Sequence, residues 1–491
     1  MRKTRRFIAA GLLGLLGGCN LAPTYVRPAM PISPTLPTGP AYPAQADGAP
    51  AAADLAWQTF FTDPRLRQVL ALALEQNRDL QAALANVDQA RALYRVQRAD
   101  LFPTVGVNGS ATYQKTPLGL GAAGAPGGGA GAPGAGAGGA PTGAAQGNGR
   151  FDIYSANVGI SAWEIDLFGR LRNLTKAGLE QYLATAANRD AVQTALIAET
   201  ATAWLTMAAD NERLRIAQDT EKLFGQTLEL TRARFAKGIA SELDVQQATT
   251  SWQQARSDIA EATTLVAQDQ NALNLLAGTS VPTELLPTSL GDDGATIDQL
   301  PAGITSDVLL RRPDVAAAEH QLVAANASIG AARAAFFPNV SLTAAFGTLS
   351  LGLSNLFTSG SETWSVAPSA SLPIFDFGRN KGNLRYAEAT RDAMVAQYGR
   401  TVQGAFREVA DALARRGTID AQLQAQVGLR EAAQGAYRLS EARFRAGVDP
   451  FLSTLDSQRA LYQAERSLLA ARLTRAANIV ELYRSLGGGL H

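Results

Sequence analysis

Cysteine and histidine are nearly absent: a chain of 491 residues carries only Cys19, His320 and His491. An intrachain disulfide is therefore impossible, and so is a Cys/His metal cluster. No nucleophile–histidine–acid set can be assembled either, because His320 falls inside a helical pattern and His491 is the last residue. Catalytic residues, cofactors and metals are expected to be none. Charge of one sign is also lacking, with 44 basic against 43 acidic residues. Four of the basic residues, Arg2, Lys3, Arg5 and Arg6, stand together at the start, and taking them from the formal +1 leaves −3. No broad basic field remains, so nucleic acid is excluded as a partner. Long apolar runs are missing too. The one at residues 7–16 is too short to span a bilayer as a helix.

What is present is rich in Ala, Leu, Gln, Arg and Glu, the mixture of long helices. Residues 1–18 have the basic and apolar regions of a signal peptide, followed by Gly17, Gly18 and Cys19. Residues 19–63 read as an extended leader, Pro- and Ala-rich to residue 53.

The remainder is a tandem duplication. At an offset of 235, Leu74, Asp79, Ala82 and Ala83 match Leu309, Asp314, Ala317 and Ala318. The same offset pairs Arg98, Ala99, Phe102, Pro103 and Val105 with Arg333, Ala334, Phe337, Pro338 and Val340. Further on the offset falls to 209. Phe168-Gly169-Arg170 then matches Phe377-Gly378-Arg379, and Ala233-Arg234-Phe235 with Gly238 matches Ala442-Arg443-Phe444 with Gly447. The Gly/Ala/Pro tract at 119–149 accounts for the change as an insertion into the first copy. It lacks the Gly-Lys-Ser/Thr ending of a phosphate loop and reads as a surface loop. The first repeat covers 64–278: a helix, strands near 103–115 and 151–166 around a loop at 117–150, and a helical hairpin at 169–278. A linker follows at 279–304. The second repeat covers 305–491: a helix, strands near 338–350 and 361–375, and a hairpin at 378–486.

The strands alternate with period two. Val105, Val107, Ala111 and Tyr113 face one way, and Thr104, Asn108, Ser110 and Thr112 the other. Tyr154, Ala156, Val158, Ile160 and Ala162 oppose Asp152, Ser155, Asn157 and Ser161. The second copy sets Val340, Leu342, Ala344 and Phe346 against Asn339, Ser341 and Thr343, then Trp364, Val366, Ala370 and Leu372 against Ser365, Ser369 and Ser371. This is the pattern of a barrel with lipid outside and a polar lumen, and a soluble half-buried sheet alternates equally well; the junction residues favour the barrel. Phe102, Phe168, Phe336, Phe337, Phe375 and Phe377 cluster at the strand–helix junctions, as an interfacial belt would. Pro368 lies inside the fourth strand and is expected to mark a bulge. The hairpin arms are about 70 residues, roughly 100 Å at about 1.5 Å per residue. In the second copy Val395, Tyr398, Val402, Ala405, Val409, Ala412, Ile419 and Leu423 form a heptad seam broken at Arg416. Four strands cannot close a barrel, and open edges cannot sit in lipid. Two copies give eight strands and a filled interior; three give twelve and a lumen, which the small polar faces favour.

Leu16-Gly17-Gly18-Cys19 resembles the lipobox of bacterial lipoproteins, which implies a lipid on Cys19; Asn20 fits outer-membrane sorting. The Phe-Pro junctions, the two Phe-Gly-Arg triplets, Leu310-Arg311-Arg312-Pro313-Asp314, Arg443-Phe444-Arg445-Ala446-Gly447-Val448 and Leu452-Ser453-Thr454-Leu455-Asp456, in this order, resemble the TolC/OprM-like outer membrane factors, in particular their NodT-type lipoproteins. That resemblance implies a mostly α fold with transmembrane β: a trimeric 12-stranded barrel continued by a periplasmic α-helical coiled-coil barrel. It implies a homotrimer in outer-membrane lipid, with a periplasmic adaptor and an inner-membrane pump as partners, exporting drugs, toxic organics or metals. By the same resemblance the helix turns at 236–241 and 445–450 dock the adaptor, with Lys237, Gly238, Ile239, Ala446, Gly447 and Val448 at their tips. Leu452 and Asp456 match an apolar and an acidic ring of the periplasmic gate. A second acidic gate position falls on Ser453, a basic latch position on Asp449, and the latch's acidic partner on Asp244. The competing expectation is a lipid-anchored, periplasm-bridging coiled-coil protein without a pore.

Overall fold

A computed structural model describes residues 20–42, 55–115, 150–291, 295–297 and 306–490. The signal peptide, Cys19 and the Gly/Ala tract at 119–149 lie outside the described residues. After a helical turn at Trp57–Phe60 come α1 (Pro64–Gln76), α2 (Arg78–Ala99), β1 (Val105–Lys115), β2 (Arg150–Ile165), α3 (Arg170–Ala236) and α4 (Glu242–Ala277). The second repeat supplies α5 (Pro313–Ala334), β3 (Asn339–Ser350), β4 (Glu362–Ser371), α6 (Arg379–Arg445) and α7 (Phe451–Ser485). The chain divides into two compact units. One holds the strands and the helix ends that adjoin them, residues 95–176 and 327–388; the other is helical.

In the strand unit one antiparallel sheet runs β1-β2-β3-β4. Its register brings the apolar positions of all four strands onto one face: Val107 opposite Val158, Val158 opposite Phe346, Phe346 opposite Trp364. That face is open, with Val107 83% and Trp364 75% exposed. The other face is small and polar, and serines bond across it: Ser110 to Ser155 and Ser341 to Ser369, each at 2.8 Å. A large exposed apolar sheet face marks a surface built for lipid or protein rather than water.

Four expectations for the strands need correction. The bulge lies in β2, not at Pro368. Ile160 pairs with Ala344 and Trp163 with Leu342, so Ser161 and Ala162 together oppose Thr343, whose Oγ1 accepts from the Ala162 N–H at 3.2 Å. Ala162 takes a left-handed φ of 49° there, and Trp163 and Ile165, not Ala162, continue the apolar face. Asp152 is also on the apolar side, opposite Tyr113 near the loop end of the strands. Pro368 sits opposite Leu342 in unbroken register. The Leu349 N–H bonds the Ser361 carbonyl at 2.8 Å, and bonded pairs alternate, so Leu342–Pro368 is a non-bonded pair. The missing N–H of Pro368 therefore points to the open edge and costs β3 nothing. Pairing with β3 ends at Ser371 rather than near 375, just ahead of Pro373.

In the helical unit, α1 starts at Asp63, whose carboxylate accepts from the N–H groups of Arg65 at 2.7 Å and Leu66 at 3.4 Å, with Pro64 in the first turn. Asn77 separates α1 from α2; its Oδ1 accepts from Leu80 N at 2.9 Å and its Nδ2 donates to the Leu276 carbonyl at 2.9 Å. A core forms where Phe60, Phe61, Leu66 and Leu70 meet Trp204 and Leu205 of α3, Leu273 of α4 and Val480 of α7. Tyr483 stacks on Phe60 at 3.9 Å, and its hydroxyl donates to the Leu55 carbonyl at 2.6 Å. The α6 seam is buried from Tyr398 through Val402, Ala405, Val409 and Ala412 to Ile419, and it packs on Val315, Ala318 and Leu322 of α5. It fades at half-open Val395 and Leu423, and Arg416 pairs with Asp420 at 3.7 Å. The leader lies on this unit as an extended strap. Arg27 holds Glu319 through two bonds of 2.7 and 2.9 Å, and Leu36 is buried. Gly417 is required beneath the strap, since a Cβ there would meet the Ala41 carbonyl at 2.3 Å. Among the described residues no helix is long and apolar enough to cross a membrane.

Candidate functional site

The two helical hairpins turn in the same way. At the end of α3 the Gly238 N–H bonds the Phe235 carbonyl at 2.8 Å and the Ile239 N–H bonds the Arg234 carbonyl at 2.9 Å. At the end of α6 the Gly447 N–H bonds Phe444 at 3.0 Å and the Val448 N–H bonds Arg443 at 2.9 Å. Both are Schellman turns, closed by glycines at φ 72° and 74°. Lys237, Gly238, Ile239, Ala446, Gly447 and Val448 are all exposed.

The chains leaving these turns are capped differently. Before α4, Ser241 and Asp244 form a reciprocal box: Asp244 N–H to Ser241 Oγ at 3.2 Å, Ser241 N–H to Asp244 Oδ2 at 2.9 Å. The Asp244 carboxylate is thus occupied in holding its own helix start. Before α7, Asp449 is gripped by Arg443 through bonds of 2.6 and 2.9 Å, which hold its carboxyl below the usual carboxylate range. The two tips share a small core of Leu228, Ala248, Phe444, Phe451 and Leu455, with the Arg234 guanidinium 4.5 Å over the Phe444 ring.

That core decides how the first turns of α7 face. Phe451, Thr454, Leu455 and Gln458 point inward and are buried. Leu452, Ser453 and Asp456 lie on the opposite side; Leu452 is 45% exposed and the Asp456 side chain 64%. Leu452 and Asp456 sit four apart, one above the other on the helix. Among the described residues Arg459 pairs with Asp456, at 3.9 Å. The structure therefore groups Leu452, Ser453 and Asp456 on one open face and holds Asp244 in the cap of α4.

Behind the tips lies a polar cluster that motif reading missed. Asp258, buried on α4, accepts from the Tyr462 hydroxyl at 2.7 Å and from Gln254 Nε2 at 2.9 Å, with Arg466 at 3.8 Å. Burial and the neighbouring carboxylate push the Tyr462 hydroxyl pKa up. Arg459 Nε donates to Ser251 Oγ at 2.9 Å, and Gln458 Nε2 to Thr227 Oγ1 at 2.9 Å. The signal was available: Ala248, Ser251, Ala255, Asp258 and Ala262 keep 3-4 spacing, so Asp258 falls on a seam of small buried residues. Among the described residues no group of three or more His, Cys, Asp or Glu side chains is placed to hold a metal ion.

The profile of the outer membrane efflux protein family matches residues 69–279 and 304–488, the two repeats in turn. This chain belongs to that family. ArpC, an antibiotic efflux pump outer membrane protein of Pseudomonas putida, is 44% identical over 476 residues, covering 97% of this chain and 93% of its own. SrpC, a solvent efflux pump outer membrane protein of the same organism, is 42% identical, covering 97% and 96%. The open state of the MtrE outer membrane channel of Neisseria gonorrhoeae superimposes with a TM-score of 0.83 at 35% identity, over 96% of this chain and 99% of that one. This outer membrane efflux protein thus shares its fold with a channel along nearly its full length.

Proposed function

We propose that three copies of this outer membrane efflux protein close a 12-stranded barrel from the four strands each supplies, anchored by lipid on Cys19 after removal of residues 1–18. The helical hairpins continue the tunnel into the periplasm. The tips at Lys237, Gly238, Ile239 and Ala446, Gly447, Val448 receive a periplasmic adaptor, which links the channel to an inner-membrane pump. Leu452 and Asp456 form the apolar and acidic rings that close the periplasmic end, and Ser453, standing where a second acid could, leaves one charge per copy. Docking favours the open state by binding it better than the closed one. The names of ArpC and SrpC favour antibiotics and organic solvents as cargo.

One observation carries this reading. A sheet with an exposed apolar face, a serine-lined face and two free edges is joined in one chain to paired hairpins ending in exposed glycine turns. A bridging protein without a pore has no use for such a sheet. The test is complementation. Expressed with its adaptor and pump in cells lacking their own outer-membrane efflux component, the chain restores resistance to toluene and to antibiotics, and it runs on a gel as a heat-sensitive band of three chain masses. Failure to restore resistance, together with a monomeric band, would overturn the proposal.

A further inference from the structure

The small-residue seam of α4 cannot fill the space in front of it. Ser251, Ala255 and Asp258 meet α7 where its residues are long: Arg459, Tyr462 and Arg466. Two rungs set the separation, Arg459 Nε to Ser251 Oγ at 2.9 Å and the Tyr462 hydroxyl to Asp258 at 2.7 Å. Between the rungs the seam offers only the Ala255 methyl, so a cavity of about 400 Å³ stays open, with buried Phe224 of α3 in its wall. Gln463 and Arg466 also line a second cavity, of about 370 Å³, between α7 and α3. There Ala209, Leu469, Ala470 and Leu473 supply an apolar wall, beside Arg213 and Asp210. All these residues belong to the helical unit.

We propose that this groove binds an amphiphilic carboxylate, held at its head by Arg466 and along its apolar body by Leu469, Ala470 and Leu473, and that the occupant ties α7 to α3 and α4. The charges of the walls select an anion. A guanidinium is a fork of N–H donors with no acceptor. Among the described residues the Arg466 fork comes no closer to a carboxylate than 3.8 Å, at Asp258, and stands 5.5 Å over the Tyr462 ring. Arg459 gives its Nε to Ser251 and reaches Asp456 only at 3.9 Å. The acids, by contrast, are engaged: Asp258 accepts from Tyr462 and Gln254, and Asp210 is hydrogen-bonded to Asp269. A carboxylate entering at Arg466 therefore meets donors able to form a bidentate pair.

The far end of the groove selects the rest of the ligand. From Arg466 to Leu473 α7 rises about 10 Å, and Leu469, Ala470 and Leu473 follow Arg466 at the three- and four-residue steps that share one face. Leu469 and Ala209 are buried, Leu473 is half-buried and Ala470 is exposed, so the apolar wall is open along one side. A cavity of this size, apolar but for one strong polar anchor, suits a small organic molecule rather than a bare ion. A ring on a short chain spans it with the carboxylate at Arg466. Because the walls come from α3, α4 and α7 together, an occupant contacts all three and favours the arrangement in which they meet.

The test is isothermal titration of the full-length protein in detergent with phenylbutanoate, a water-soluble probe of this chemistry. Saturable binding at one site per chain is expected, with a rise in melting temperature, since a ligand taken up only by the joined helices stabilises them. Phenylbutanol and acetate, each lacking one half of the ligand, should bind at least roughly tenfold more weakly. Arg466→Gln should weaken the probe by roughly tenfold or more, as loss of a charge-assisted pair does, and Arg466→Lys by less, since it keeps the charge without the fork. Leu473→Asp, at the opposite end of the groove, should weaken it as well and tests the site should the Arg466 variants fail to fold. Absence of saturable binding, equal binding of the alcohol, or full affinity in folded Arg466→Gln or Leu473→Asp would overturn the proposal. Binding is read without reference to trimer or gate, so such a result would leave the channel reading in place.

Discussion

Gly447 and Gly238 separate the stability of the tips from their use. Both take left-handed backbone, and a Cβ added to either meets nothing within 4 Å. Alanine there costs only the backbone penalty, about 1–2 kcal/mol, offset by about 0.4–1 kcal/mol from a less flexible unfolded chain. The net is about 1 kcal/mol per site, a shift in melting temperature of no more than about 2 °C for a chain of this size. Gly278 is the control. Its φ of 70° is similar, but its Cβ would fall 2.2 Å from the Gln76 carbonyl oxygen, so Gly278→Ala must displace backbone and should melt much lower. If the tips dock a partner, the added methyl groups meet a packed surface and cost about 1–3 kcal/mol, roughly 5- to 150-fold in affinity. Gly238→Ala with Gly447→Ala should therefore lower the melting temperature by no more than about 4 °C and lose efflux, read as resistance of complemented cells. A melting temperature as low as that of Gly278→Ala would refute the open-turn argument; full resistance would remove these glycines from the docking surface.

Burial of Arg312 makes a second prediction. Its guanidinium bonds Asp314 at 2.7 Å, Glu408 at 2.9 Å and the Ser485 carbonyl at 2.9 Å while only 5% exposed. Arg312→Ala leaves Asp314 and that carbonyl without their cation, whereas Glu408 keeps Arg484 at 3.1 Å. The expected loss is about 3 kcal/mol, measured by chemical denaturation in detergent, and Arg312→Met with Asp314→Asn should recover part of it. A third concerns pH. Burial and the neighbouring Asp210 raise the Asp269 carboxyl to about 6. A raised carboxyl favours the folded state fully below its ordinary value near 3.8, and that contribution is lost as the pH rises through about 6. Asp269→Asn should then raise the melting temperature at pH 7.5 and leave it unchanged at pH 3.5; a larger gain at the acid end would contradict the assignment.

Much of the fold was legible because two periods dominate the sequence. Alternation in β3 and β4 placed Phe346 and Trp364 on one face, and the heptad from Tyr398 to Ile419 placed the α6 seam. The β2 bulge was not legible: Ser161 and Ala162 are ordinary strand residues, and only the partner register shows that both oppose Thr343. Pro368 misled because a lone proline signals a lost bond without telling which side of the strand loses it. At the site, the four-residue spacing of Leu452 and Asp456 fixed their shared face, and the Phe451–Leu455 core gave that face its direction. The capture of Asp244 by Ser241 and of Asp449 by Arg443 depended on side-chain geometry that spacing alone leaves open. Asp258 was readable in principle, since an acid on a small-residue seam must find partners.

The most direct measurement is the single-channel conductance of the purified protein in planar lipid bilayers. The account predicts a small, closed-state conductance for the unsubstituted protein and a several-fold larger one for Leu452→Ala with Asp456→Ala, with unchanged trimer stability. Equal conductance in the two proteins would contradict the gate, and the absence of any channel activity would contradict the pore itself.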